Sequence, residues 1–120
     1  MLKSQPEELR DRTKQFALRV IRVFRSLPYK PDAQVLGKQL LRCGTSVAAN
    51  YRAVCRARSK AEFIARVGVV AEEADEAVLW LELLTESGIV SEKRTKELLA
   101  EARELTAIFT ASQCTARSST

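Results

Sequence analysis

Carboxylates are the reactive side chains most concentrated in one short segment, which makes them the first candidates for chemistry. Glu72, Glu73, Asp75 and Glu76 all fall within residues 72–76, and inward carboxylates in a helical bundle can hold a pair of metal ions. The di-metal pattern also requires Glu-x-x-His pairs, whereas this chain has no histidine. The acids also flank the alanines of the local apolar stripe instead of replacing them. We therefore predict no metal site and no cofactor.

Nucleophilic catalysis is also poorly supported by the composition. With three cysteines and no histidine, the chain cannot form a Ser-His or Cys-His pair or complete a tetrahedral Cys/His zinc site. Cys43 and Cys55 lie on one predicted helix, about 18 Å apart along its axis, which is too far for a disulfide. No role is assigned to Cys55 or Cys114. There is no glycine-rich phosphate loop and no nucleophile elbow, so the sequence predicts a protein that is not an enzyme.

The expected location is the cytoplasm. An odd number of cysteines is a poor disulfide framework and is typical of a reducing compartment. Residues 1–8 lack the apolar stretch of a secretory signal, and no apolar run approaches the length of a membrane-spanning helix. We expect no membrane partner.

Basic side chains are unevenly distributed along the chain. Residues 1–58 carry 13 Lys and Arg against 4 Asp and Glu, whereas residues 59–120 carry 7 against 11. At about 100° of rotation per residue, most of the basic residues of the second predicted helix point outward together, and two on the first helix lie beside its apolar face. The six residues of this predicted basic face are Arg19, Arg22, Lys38, Arg42, Arg52 and Arg56.

Two interpretations of this basic face remain open. It could bind RNA, or less favourably DNA, because each neutralised phosphate releases condensed counterions. It could equally pair with acidic helices of the same bundle, or dock an acidic partner or neighbouring subunit, which would make the protein an interaction scaffold. Base stacking has little support, since only Tyr29 and Tyr51 lie near the basic stretch.

The elements that must position these residues are helical. Glycine and proline are sparse, and apolar residues recur with helical spacing over about 7–26, 32–57, 60–87 and 92–112. Pro28 and Pro31 end the first helix, Asp32 suits the start of the second, Ser59 and Glu62 fit a capping box, and Gly88 ends the third. Short connections predict an all-α, antiparallel up-down-up-down four-helix bundle over residues 1–112, with a polar tail over 113–120.

A second apolar strip points away from the predicted core. Its members lie on the first and third helices and are Leu18, Ile21, Val69, Trp80 and Leu83. Either the bundle covers both sides of these helices or, as we favour, the strip is an oligomer interface. Asn50 falls near the core line of the second helix, where a buried amide more often fixes helix register than binds a ligand.

Four segments carry a family resemblance. They are RCGTSVAANYRA at 42–53, RARSKAEFI at 56–64, EEADE at 72–76 and WLELL at 80–84. Together they resemble the bacterial four helix bundle protein family, also called the 23S rRNA intervening-sequence protein family, over most of the chain from Phe16 to Phe109. Relatives often have an acidic residue soon after Asn-Tyr-Arg, where this chain has Ala53-Val54-Cys55.

The resemblance implies an antiparallel four-helix bundle that assembles into a ring-like homopentamer. It also implies a relation to the accessory variability proteins of diversity-generating retroelements, which bind nucleic acid and a reverse transcriptase through a basic surface. The expected partners are therefore further copies of the chain, RNA or DNA, and a reverse transcriptase or another protein. The resemblance carries over no catalytic residue and names no particular nucleic acid or pathway.

Overall fold

The computed structural model describes residues 2–119, which form four α-helices and no β-strand. These are α1 Gln5–Arg25, α2 Pro31–Val54, α3 Lys60–Glu86 and α4 Glu92–Ser118. Each helix packs against the next one along the chain, so that α1 contacts α2, α2 contacts α3 and α3 contacts α4. The contact between α1 and α4 is smaller. Short connections reverse the chain between successive helices, so the predicted up-down-up-down bundle is confirmed.

Two helix starts show how proline and serine set the boundaries. Pro31 occupies the first turn of α2, where its fixed φ and missing N–H are tolerated. Asp32, expected as the cap, lies inside the helix instead and accepts a hydrogen bond from the Ala33 N–H at 2.8 Å. At α3, Ser59 accepts from the Glu62 N–H at 3.0 Å, which is the serine half of the predicted capping box. The Glu62 carboxylate accepts from the Arg58 N–H at 3.1 Å instead of from the Ser59 N–H.

The helix ends differ from the sequence-based bounds for local reasons. The chain leaves α2 after Val54 in a tight turn, in which Arg56 and Ala57 donate to carbonyls three residues back. Gly88 adopts φ 84° after α3, a conformation that favours glycine. The fourth helix, α4, continues to Ser118 through most of the expected polar tail. Within this segment Gln113 donates from Nε2 to the Ile64 carbonyl at 3.1 Å and so joins it to α3.

The core runs the length of the bundle and draws on all four helices. Its largest fully buried side chains include Phe16, Leu40, Leu81 and Phe109. The buried Thr95 hydroxyl satisfies its polar group by sharing a 2.8 Å hydrogen bond with Thr85. No helix within residues 2–119 is long and apolar enough to cross a membrane.

Gly44 allows the close approach of α1 to α2. A Cβ built there would lie 2.7 Å from both γ carbons of Val20, which is itself fully buried. The neighbour is thus a side chain of α1 rather than its backbone. The close packing of Val20 against Gly44 therefore offsets the roughly 1 kcal/mol that glycine costs within a helix.

We expect Gly44→Ala to lower the free energy of unfolding by about 1–3 kcal/mol, because the new methyl group overlaps Val20. The double variant Val20→Ala with Gly44→Ala should be less destabilised than the sum of the two single variants. Denaturant titrations would measure both effects. Ala100→Gly, at an exposed site in α4, calibrates helix propensity alone, and an increase in stability for Gly44→Ala would contradict this packing.

Candidate nucleic-acid interface

Arg42 of the predicted basic face bonds to carboxylates of α3. Its Nη1 donates to Glu73 Oε2 at 3.1 Å, and its Nη2 pairs with Glu76. Nη2 also lies 3.2 Å from the sulfur of Cys43. For this one residue, the interpretation that basic helices pair with acidic helices within the bundle holds.

Cys43 belongs to the same network. Its thiol is fully buried and donates to Glu76 Oε2 at 2.7 Å. Burial, together with the Glu76 carboxylate, raises the pKa of the Cys43 thiol to about 12. Hydrogen bonds from Cys43 and Arg42 lower the pKa of Glu76. The network thus holds a neutral thiol, a guanidinium and two carboxylates.

The same side chains have the donor atoms of a metal site. The ligand atoms of Cys43, Glu73 and Glu76 all lie within 4.8 Å of one another. A metal ion would have to displace the Arg42 guanidinium from both carboxylates, and it would also have to deprotonate a thiol whose pKa is raised. This arrangement therefore fits an ion-pair network better than a metal centre.

The other five members of the predicted basic face are not engaged in this way. Lys38, Arg52, Arg56 and Arg22 are exposed and Arg19 is half-buried. Within residues 2–119, none of the five forms an ion pair with a carboxylate. Their charges remain available to an anionic partner.

The bundle gathers some of these residues into two recesses. One lies at the α2–α3 turn, has a volume of about 510 Å³ and is lined by Ala53, Arg56, Arg58, Glu62 and Arg66. The other lies between α1 and α4, has a volume of about 230 Å³ and is lined by Arg19, Arg22, Val23, Arg94, Glu97 and Leu98. Sequence reasoning did not single out Arg58, Arg66 or Arg94, because helix pairing and the turn bring them to the other arginines.

Ion pairs elsewhere join the basic and acidic halves of the chain. Arg12 donates from Nε and Nη2 to the two carboxylate oxygens of Glu101, at 2.8 and 2.7 Å, across the contact between α1 and α4. Arg12 Nη2 also lies 3.2 Å from Glu104. This bidentate pair joins α1 to α4 directly, whereas the smaller recess separates the two helices at Arg19 and Arg22.

The Arg42 network fixes the register of a surface that includes most of the predicted oligomer interface on α3. Val35 lies seven residues before Arg42 and Leu83 seven residues after Glu76, so both are about two turns from the network toward the same end. They are 62% and 40% exposed.

Two turns in the opposite direction, the corresponding positions are Ala49 and Val69, and Val69 is 42% exposed. We call the surface formed by Val35, Arg42, Ala49, Val69, Glu76 and Leu83 the α2–α3 face. Apolar residues flank a charged centre on it.

The remaining predicted interface residues are less accessible. Trp80 is half-buried against the core, and within the described residues its Nε1 is buried without a hydrogen-bond partner. Leu18 and Ile21 are half-buried on α1, whose backbone does not approach that of α3 within residues 2–119. The two halves of the predicted strip are therefore separate surfaces.

Asn50 satisfies its amide within its own helix. Its Nδ2 donates to the Ser46 carbonyl at 2.9 Å and to the Ser46 hydroxyl at 2.8 Å. Both hydrogen bonds lie within one turn of α2. The amide is thus paired without reaching another helix.

Known proteins are similar to this chain in sequence and in fold. A family model described as 23S rRNA-intervening sequence protein matches residues 7–111. A solved structure from Bacteroides thetaiotaomicron, described as a protein with unknown function from the S23 ribosomal protein family, superposes with a TM-score of 0.81 at 28% identity. The match covers 88% of this chain and 97% of that one. The search of curated proteins found no match.

We expect a thiol reagent at pH 8 to modify Cys55 and Cys114 in the folded protein and to spare Cys43. The first two are exposed, whereas Cys43 is buried and forms its reactive thiolate only as the pH approaches 12. Counting modified thiols by mass spectrometry with and without denaturant measures this. Cys43→Ala should give the same count in both conditions, and rapid modification of all three native thiols would contradict the network.

Proposed function

This chain belongs to the 23S rRNA-intervening sequence protein family, and we propose that it is a non-enzymatic helical-bundle protein that binds nucleic acid, RNA in preference to DNA. The single observation that carries the proposal is the set of exposed arginine and lysine side chains that have no carboxylate partner within residues 2–119. Lys38, Arg52 and Arg56 form its outer part on and just after α2. Arg19 and Arg22 are auxiliary contacts on α1.

The proposed mechanism is neutralisation of backbone phosphates with little reading of bases. Guanidinium groups suit this role because they donate to phosphate oxygens in pairs and stay charged at any physiological pH. Aromatic residues are scarce on the basic side, where Tyr29 is 96% exposed but Tyr51 is buried in the core against Phe109. Stacking on bases would therefore contribute little.

Arg42 is given a different part in this proposal from the one the sequence suggested. Glu73 and Glu76 already neutralise its charge, so a phosphate would have to compete with two carboxylates for it. We place Arg42 in the support of the α2–α3 pair and leave phosphate contacts to Lys38, Arg52 and Arg56.

We also propose a reducing, cytoplasmic location. The three cysteines are free thiols, and Cys43 hydrogen-bonds as a thiol within the bundle. Proteins of oxidising compartments more often carry cysteines in pairs.

The double charge reversal Arg52→Glu and Arg56→Glu should weaken RNA binding for all sequences alike and flatten the dependence of affinity on salt. Each lost phosphate contact lowers the slope of log K against log salt by about 0.7 for a single strand. Fluorescence anisotropy with labelled RNA at several salt concentrations measures both quantities.

The matched control is Lys93→Glu with Lys96→Glu, which changes the net charge equally at exposed sites on α4. It should retain most of the affinity. If wild-type protein does not bind RNA at low salt, or if its affinity is indifferent to salt, nucleic-acid binding is wrong.

The second candidate function is a protein-interaction scaffold that first assembles with itself. The observation that favours it is the α2–α3 face, on which Val35, Val69 and Leu83 expose apolar area beside the Arg42 network. The ring-like homopentamer implied by the resemblance would bury such a face in a subunit contact. A reverse transcriptase or another protein captured on the basic side would remain bound after nuclease treatment, whereas nucleic acid would not.

We expect Val69→Gln with Leu83→Gln to shift the protein toward the monomer, because both substitutions place amides in an apolar contact. Sedimentation velocity should give five copies of the 13.4 kDa chain for the wild type and a lower mass for the variant. Leu2→Gln changes a leucine that is 97% exposed before α1 and should leave the mass unchanged. A monomeric wild type would refute this assembly.

A further inference from the structure

The recess at the α2–α3 turn is lined mainly by arginine side chains. Arg56 and Arg58 reach it from the connection between the helices, and Arg66 from the second turn of α3. All three are exposed at the rim of one space of about 510 Å³. Three arginine side chains therefore line a space large enough for a phosphate together with its sugar.

Glu62 is the carboxylate that lines this recess, and both of its oxygens are already used. Oε2 accepts from the Arg58 backbone N–H at 3.1 Å, and Oε1 accepts from Arg66 Nε at 2.9 Å. Because the Arg66 contact is made through Nε, the two terminal nitrogens of Arg66 remain available to a ligand. Glu62 thus positions Arg66, while Arg56 and Arg58 form no ion pair in the part of the chain that the structure describes.

The charge of the recess selects among phosphate ligands. Three guanidinium groups against one carboxylate leave a formal charge of +2. A phosphodiester within a strand carries a single negative charge, whereas a phosphate monoester carries about −1.5 to −2 at pH 7 and offers three acceptor oxygens. Paired guanidinium donors favour the species with more charge and more free oxygens.

We propose that the recess lined by Arg56, Arg58 and Arg66 is a binding site for a phosphate monoester, with Glu62 as a positioning residue. Resting on the proposed function, the inference identifies the ligand as the terminal phosphate of an RNA strand. The strand would continue from the recess toward Arg52, four residues before Arg56 and within the last turn of α2. The site would then distinguish strand ends from strand interiors without reading sequence.

The test uses three RNA oligonucleotides of one sequence that carry a 5′-phosphate, a 3′-phosphate or no terminal phosphate. Fluorescence anisotropy at fixed salt should give about tenfold tighter binding for at least one phosphorylated form. Arg58→Gln and Arg66→Gln should each reduce this preference. Arg94→Gln removes the same charge from the other recess and should preserve it, and circular dichroism checks that each variant is folded.

Separate arms identify the source of the phosphate. Adenosine 5′-monophosphate and inorganic phosphate are titrated into isotope-labelled protein, and amide shifts confined to residues 53–66 would support the site independently of RNA binding. A response to the nucleotide without a preference among RNA ends would assign the site to a free nucleotide and overturn the strand-end assignment.

The remaining outcomes separate this inference from the proposed function. Equal binding of all three oligonucleotides, with no local shifts from the small phosphates, overturns the site and leaves nucleic-acid binding intact. No RNA binding at low salt, together with local shifts from the nucleotide, overturns the proposed function and retains the monoester site. No response in any arm overturns both.

Discussion

The register between α2 and α3 is the constraint on which the described surfaces depend. Arg42, Cys43, Glu73 and Glu76 set it with polar contacts at the middle of the helix pair. A half-exposed ion pair adds little net stability, since water already solvates both charges. The buried thiol gives the network its specificity, because sliding one helix would leave the Cys43 thiol buried without a hydrogen-bond partner. The buried apolar core supplies most of the stability of the bundle. The polar network favours one register of α2 against α3 over the other registers that apolar packing would allow.

Charge segregation along the chain has different results at different places in the bundle. Where a basic helix adjoins an acidic one, the charges pair, as Arg12 does with Glu101 and Arg42 with Glu73. Where α2 faces solvent, no carboxylate approaches Lys38 or Arg52 within the described residues. Whether a basic side chain pairs within the bundle or stays available to a ligand therefore depends on its own position. The total charge of its helix does not decide this.

The sequence was sufficient to predict the four helices and their antiparallel order, because apolar spacing and the punctuation at Pro28, Ser59 and Gly88 are local signals. It also predicted which side of α2 carries exposed basic residues. It did not predict the end of α4, where the polar side chain of Gln113 forms a long-range hydrogen bond to α3 that local spacing does not reveal. It could not choose the partners of Arg42 or bring Arg58 and Arg66 together, since those contacts depend on which helices are neighbours and how the turn between them is shaped.

The separation of charge within one rigid bundle also has a kinetic consequence. A body with a basic side and an acidic side has a permanent dipole, and a polyanion exerts a torque on it before any atoms touch. At physiological ionic strength this interaction extends over a Debye length of about 8 Å. Encounters with an anionic polymer would begin already oriented, with the basic side of α2 leading, and electrostatic steering of this kind raises association rates more than it slows dissociation.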